Sequence, residues 1–155
     1  AFGKNDLRGC IGYSEAIFPV AQATIKAAIS SAVEDTRFPP VTAEELDAIS
    51  IEVSVLSPLQ QIKATDYRKQ VCIGEDGLVV EQGLNKGLLL PQVAVEWNWD
   101  SEDFLSNACL KAGLLPDSWL LPGTKVYKFQ VSLFEEEYPK GPVRRVKIDG
   151  RSNSQ

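Results

Sequence analysis

Histidine is absent from this 155-residue chain. Its absence removes imidazole as a general base for a nucleophile, and it removes the commonest metal ligand. Cysteine is scarce. Cys10, Cys72 and Cys109 are odd in number and lack CxxC spacing, which argues against a disulfide framework or a zinc ribbon and fits a reducing cytoplasm. Metal-ligating residues are nowhere clustered, so neither a metal nor a cofactor is expected. No apolar run approaches the ~18 residues of a membrane span. The longest candidate, residues 87–94, is interrupted by Pro91 and Gln92. Neither a GxGxxG nor a P-loop fingerprint occurs, and there is no internal repeat. Methionine is missing too, and Ala1-Phe2-Gly3-Lys4 reads as the end of a strand. A segment upstream of residue 1, able to complete the fold, is therefore expected to be missing.

What is present is ordinary for a globular protein, with 44% hydrophobic and 24% charged residues. This length suits one domain, or two small lobes sharing a core, and needs no covalent staple. The net charge of −5 is uneven. Residues 1–139 carry 11 basic and 20 acidic groups. Residues 140–155 carry five basic groups (Lys140, Arg144, Arg145, Lys147, Arg151) against Asp149 alone. Such a basic tail either touches phosphate or an acidic partner, or is a solvated, poorly ordered end. The acidic body argues against broad nucleic-acid binding.

The hexapeptide Leu7-Arg8-Gly9-Cys10-Ile11-Gly12 holds a cation and a thiol between two glycines, which permit a tight turn and close backbone approach. After it, Pro19 suits the first turn of a helix. Val20, Ala21, Ile25, Ala28, Ile29, Ala32 and Val33 then recur at helical spacing, with Gln22, Lys26 and Ser30 opposite. Residues 35–40 (DTRFPP) end that helix. Thr42 and Glu45 form a capping box for a short second one. Alternation marks a strand over 49–56. A short helix is expected around 66–69, and a hairpin turn at Asp76-Gly77 between 71–74 and 78–81. Residues 83–87 form a second turn and 88–90 a short buried strand. A helical segment opens at Pro91, and another starts at Ser101 as N-cap and stops at Gly113. It buries Phe104, Leu105, Ala108, Cys109 and Ala112. Residues 116–123 form a loop and 125–134 a long strand, followed by Glu135-Glu136-Glu137. Helices and strands mix without βαβ regularity, so the class is α+β.

Five motifs occur in order: LRGCIG (7–12), DTRFPP (35–40), IEVSVLSP (51–58), GLLLPQVAVE (87–96) and WD…F…C..AG (99–113). Together they resemble the AMMECR domain family over nearly the whole chain. The resemblance implies an archaeal or bacterial member, small and cytoplasmic. It implies a single α+β domain over 1–155, with mixed helices and a largely antiparallel sheet in two unequal lobes with a cleft between them. It implies no assigned activity. Family association points to Memo-like and radical-SAM proteins as partners in a modification pathway. A fold analogy to nucleotide- and RNA-binding proteins is of the same associational kind. The chain departs from the family in lacking the usual segment before LRGCIG.

Each candidate residue has a structural reading beside its functional one. Cys10 is either a nucleophile activated by Arg8 or a small residue filling space under the turn. Arg8 projects on the same side as Cys10 in an extended segment and either clamps an anion or pairs internally with Asp35 or Glu52. Asp35 and Arg37 form a rigid loop, or add a second guanidinium to the cleft. Gln92 reads a ligand or caps a helix. Glu96 acts as a base if buried near Arg8, or is solvated. Trp97, Trp99 and Trp119 anchor the core or stack on bases.

Three functions compete on these readings. The first is an accessory binding module for an anionic ligand, an RNA element or a protein partner, using Arg8, Gly9, Cys10, Gly12, Asp35, Arg37, Gln92 and Glu96. The second is an enzyme with Cys10 as nucleophile and Glu96 or Asp35 as its acid–base partner. The third is a structural interaction protein.

Overall fold

The computed structural model describes residues 7–63 and 66–147. The expected strand end at 1–4 and the tail beyond residue 147 lie outside the described residues. Two compact units divide the chain: Ala1–Val53 with Phe134–Arg145, and Ser54–Leu133 with Val146–Gln155.

The first unit holds helix α1 (Val20–Val33), for which Pro19 serves as N-cap. The DTRFPP loop ends α1, and a single 3-10 turn follows at Ala43–Glu45. Its capping box forms as the Thr42/Glu45 spacing predicts, with the Thr42 N–H donating to Glu45 Oε2 at 2.8 Å. No residue of α1 is buried.

The second unit contains the hydrophobic core. Strands β1 (Glu52–Leu56) and β2 (Gln60–Ile62) precede the one-turn helix α2 (Tyr67–Gln70). A hairpin of β3 (Asp76–Gln82) and β4 (Asn85–Leu89) follows, then α3 (Pro91–Glu96) and α4 (Ser101–Lys111). Strand β5 (Lys125–Glu136) starts in this unit and runs into the first, where β6 (Val143–Val146) turns back on it. The sheet order is β1-β5-β3-β4, with β2 and β6 also paired to β5. The β2–β5, β3–β4 and β3–β5 pairs are antiparallel. Helix α4 covers β3 and β4, and Phe104, Leu105, Ala108 and Cys109 go into the core with Leu78, Val80 and Val126. Trp119 joins them, edge-on to Tyr67 at 5.6 Å. Trp99 packs partly against this cluster, whereas Trp97 is 68% exposed and does not anchor it.

Three local expectations are corrected. Asp76-Gly77 is not a hairpin turn; both residues are buried in β3, and the reversal comes at Gly83, whose φ is +61°. The Asp76 carboxylate accepts from the Cys72 N–H at 2.9 Å and from Lys128 Nζ at 3.1 Å. Gly77 leaves room for the Phe129 ring, which a Cβ would meet at 2.3 Å. Tertiary contacts thus decide against a local turn signal. Second, the N-cap of α4 is Asp100, which accepts from the N–H groups of Glu102 and Asp103. Ser101 is one place further in. Third, part of the supposedly unstructured basic tail is the strand β6. Its cations find acids of the same chain: Lys140 pairs with Asp47, and Arg144 with Glu135 at 2.6 Å.

Asp76 is 1% exposed, so Lys128 is its required counter-charge. Removing one partner of a buried pair leaves the other charge uncompensated and costs about 3 kcal/mol or more. Lys128→Met is expected to lower the unfolding free energy obtained from urea titration by that amount, whereas Lys69→Met, at an exposed pair, is expected to change it by less than about 1 kcal/mol.

Candidate functional site

The glycine-bounded loop lies against α1. A Cβ on Gly9 would stand 1.8 Å from the carbonyl oxygen of Ser31, so only glycine lets the loop reach the helix backbone. Ser31 then holds the next residue but one: its Oγ accepts from the Ile11 N–H at 2.8 Å and donates to the Ile11 carbonyl at 3.3 Å. Between these anchors Cys10 is tied in the same double fashion. Its N–H donates to Asp35 Oδ2 at 2.9 Å, and its carbonyl accepts from Arg37 Nη2 at 2.9 Å. Asp35 and Arg37 are themselves joined, Nη2 to Oδ2 at 2.6 Å and Nε to Oδ1 at 2.9 Å. The Arg37 backbone N–H also reaches Oδ1.

Asp35 is therefore the hub. Its side chain is 3% exposed and accepts from a guanidinium and two backbone N–H groups. The Arg37 hydrogen bonds, then the Cys10 N–H, hold its carboxyl far below the usual carboxylate range, against the opposing effect of burial. The same pairing raises Arg37. Cys10 and Ile11 nevertheless keep exposed side chains. The backbone is fixed and the side chains are displayed.

Arg8 does not pair with Asp35 or Glu52. It donates to both oxygens of Glu45, from Nε at 3.0 Å and from Nη2 at 3.2 Å, and to the Pro39 carbonyl at 3.3 Å. Glu45 is drawn below its ordinary value by Arg8 and then by the Thr42 N–H. Spacing could not find this partner, because Glu45 sits 37 positions from Arg8. Ser31 was likewise missed, as nothing in the helix pattern marks a serine that braces a loop. Gly12 borders a hollow of about 240 Å³ lined also by Tyr13, Ser14, Glu15 and Ile17.

Gln92 and Glu96 belong to α3 of the other unit. Gln92 Oε1 is buried with no hydrogen-bond partner among the described residues. Glu96 is exposed, whereas the general-base reading requires it buried. Among the described residues no three His, Cys, Asp or Glu side chains are grouped to hold a metal ion. No helix among them is long and apolar enough to cross a membrane.

Asp35 gives a signed pH dependence. A carboxyl whose folded pKa is depressed stabilises above its unfolded value of about 3.9, and that contribution fades as pH falls through the folded value. Below about pH 4, protection of the Cys10 and Ile11 amides against hydrogen exchange is expected to fall progressively, and Asp35→Asn is expected to flatten this response. Gly9→Ala is expected to cost about 1–3 kcal/mol through overpacking on Ser31, seen as lost protection of the same amides.

The chain is similar to known proteins. The chain matches AMMECR1 over residues 2–134. A protein of Thermococcus gammatolerans is 59% identical over 141 residues, covering 90% of this chain and 69% of that one. Protein MJ0810 of Methanocaldococcus jannaschii is 51% identical over 150 residues, covering 95% of this chain and 75% of that one. The crystal structure of the uncharacterized protein PH0010 from Pyrococcus horikoshii is similar with a TM-score of 0.84 at 56% identity. It covers 90% of this chain and 70% of that chain, and the α+β class is common to both. With a family match across most of its length and archaeal relatives above half identity, the chain belongs to the AMMECR1 family.

Proposed function

We propose that the chain is an accessory binding module that receives a polypeptide partner on the surface formed by the Cys10 loop and the adjoining hollow at residues 12–17. One observation carries this reading. Both backbone polar groups of Cys10 and of Ile11 are spent internally, while their side chains face outward. A loop fixed in this way loses little conformational freedom on association, which is the advantage of a preorganised recognition surface. The exposed Cys10 and Ile11 supply apolar contact, and Arg37, its side chain 59% exposed, supplies charge at the rim.

The same geometry weighs against an anionic ligand and against the enzyme reading. Arg8 and Arg37 already carry carboxylates, Glu45 and Asp35, so an incoming anion would have to displace them. Asp35 is held ionised and hydrogen-bonded, which leaves it unfit to exchange a proton with the Cys10 thiol near neutral pH. Without histidine, a Cys10 nucleophile has no base of the usual kind. A Memo-like or radical-SAM protein as the partner rests on family association alone.

Panning a displayed peptide library against the folded protein is expected to enrich peptides whose affinity drops at least about tenfold in Ile11→Glu and is unchanged in Lys69→Ala. Alkylation at pH 7 is expected to label Cys10 no faster than Cys72, which is also exposed. Enriched peptides indifferent to Ile11→Glu overturn the binding surface, and labelling of Cys10 at least about tenfold faster than Cys72 restores the enzyme reading.

A further inference from the structure

Trp97 closes α3 and is 68% exposed. The end of that helix is a fixed turn. Asn98 takes a φ of +53°, its N–H donates to the Val95 carbonyl at 3.1 Å, and the Trp99 N–H reaches back to the Ala94 carbonyl at 2.8 Å. These nested bonds form a left-handed helix cap, a conformation that asparagine tolerates better than most residues. The cap gives the two indoles different places. Trp99 packs partly against the core, of which Ala94 is a member. Trp97 lies on the Trp99 ring, with centroids 6.2 Å apart and planes 18° from parallel. Trp97 is thus backed by a packed side chain while most of its surface is open to solvent. An indole held in this way loses little freedom on being covered, and tryptophan is among the residue types that most often carry the energy of an interface.

The surrounding charge decides what can cover it. Residues 96–103 (EWNWDSED) contain four carboxylates and no basic side chain. Glu96, Asp100, Glu102 and Asp103 are all exposed. Asp100 and Asp103 also cap the start of α4, which holds their carboxylates in place. Such acids alone would be an ordinary solvated helix start. The open indole beside them is what gives them a ligand. A nucleobase would stack on Trp97, but its phosphates would meet like charge. An aliphatic partner would have to desolvate the carboxylates without pairing them. A guanidinium satisfies both features, because its plane stacks on an indole while its N–H groups donate to carboxylates. The rim already holds one guanidinium of its own chain, since Arg68 of α2 is ion-paired with Glu102.

We infer that Trp97 and the acidic rim of residues 96–103 form a docking surface for an arginine-rich segment of a partner polypeptide, with one guanidinium laid on the Trp97 ring and neighbouring cations against Glu96 and Asp100. This surface lies wholly in the second unit, whereas the Cys10 loop lies in the first, and neither reading needs the other.

The probe is an end-blocked hexa-arginine peptide, titrated into the protein at low salt. The chain has three tryptophans, so three indole N–H resonances can be followed by nuclear magnetic resonance. The Trp97 resonance is expected to move and that of the buried Trp119 to stay. Trp97→Ala is expected to weaken the peptide at least about fourfold, within reach of one cation–π contact over tryptophan. Trp97→Leu, which keeps apolar bulk and loses the aromatic face, is expected to weaken it likewise. An unshifted Trp119 resonance in both variants shows that the second unit remains folded. Glu96→Gln is expected to weaken the peptide about twofold and to lessen its salt dependence, whereas Glu44→Gln, an exposed carboxylate of the first unit, is expected to leave it unchanged. A Trp97 resonance that does not move overturns the proposal. So does wild-type affinity in Trp97→Ala or Trp97→Leu, or equal loss in Glu44→Gln and Glu96→Gln, because net charge or apolar bulk alone would then hold the peptide. An oligothymidylate that shifts the Trp97 resonance at the same concentration overturns it in favour of a nucleic acid.

Discussion

The first unit depends on the Asp35 carboxylate. With no buried apolar side chain among its described residues to organise it, its loops converge on a charged group that four contacts hold in place. Arg37 closes the ring by returning to the Cys10 carbonyl, so the carboxylate, the guanidinium and the loop backbone form one connected network. Such networks are strongly position-specific, because each member's desolvation is offset only while the others stay in place. Hydrophobic contact would have allowed the loop to slide; this arrangement fixes it to a single register against Ser31.

The second unit repeats the device beside a full core. Asp76 accepts from the N–H of a cysteine, Cys72, and is countered by Lys128, as Asp35 accepts from Cys10 and is countered by Arg37. The consequences differ. Lys128 also donates to the Gln70 carbonyl, so the pair closes the end of α2 onto β3 and β5. It acts as a structural staple at the edge of a packed core. Around Asp35 the fixed element is a loop whose side chains remain displayed, which is why we propose that loop as the recognition surface.

Much of the architecture was legible where local and tertiary signals agree. Helix α4 combines a periodic apolar face, acidic residues in its first turn and Gly113 at φ +75° after its end. The Thr42/Glu45 box is equally local. Long-range chemistry was not legible. The sequence cannot show that Asp76-Gly77 lies beneath the Phe129 ring and beside Lys128, so the pair mimics a turn. Nor does it show that Lys140 and Arg144 meet Asp47 and Glu135, so a basic run mimics a free tail. In the site, Arg8, Asp35 and Arg37 were recognisable as charges needing partners, yet only Asp35–Arg37 is close enough in sequence to be paired by inspection. The periodicity of α1 was plain, but periodicity reports which face is apolar, not what lies on it.

All three tryptophans, Trp97, Trp99 and Trp119, reside in the second unit. Trp97 and Trp99 stack at 6.2 Å, and Trp119 sits in the core. Indole emission is therefore a reporter of one half of the molecule. A thermal scan followed by fluorescence would trace a single smooth sigmoid even if the Cys10 loop and α1 had already come apart at lower temperature. Any melting point obtained that way describes the β3–β5 core and is silent about the half that carries the Cys10 loop.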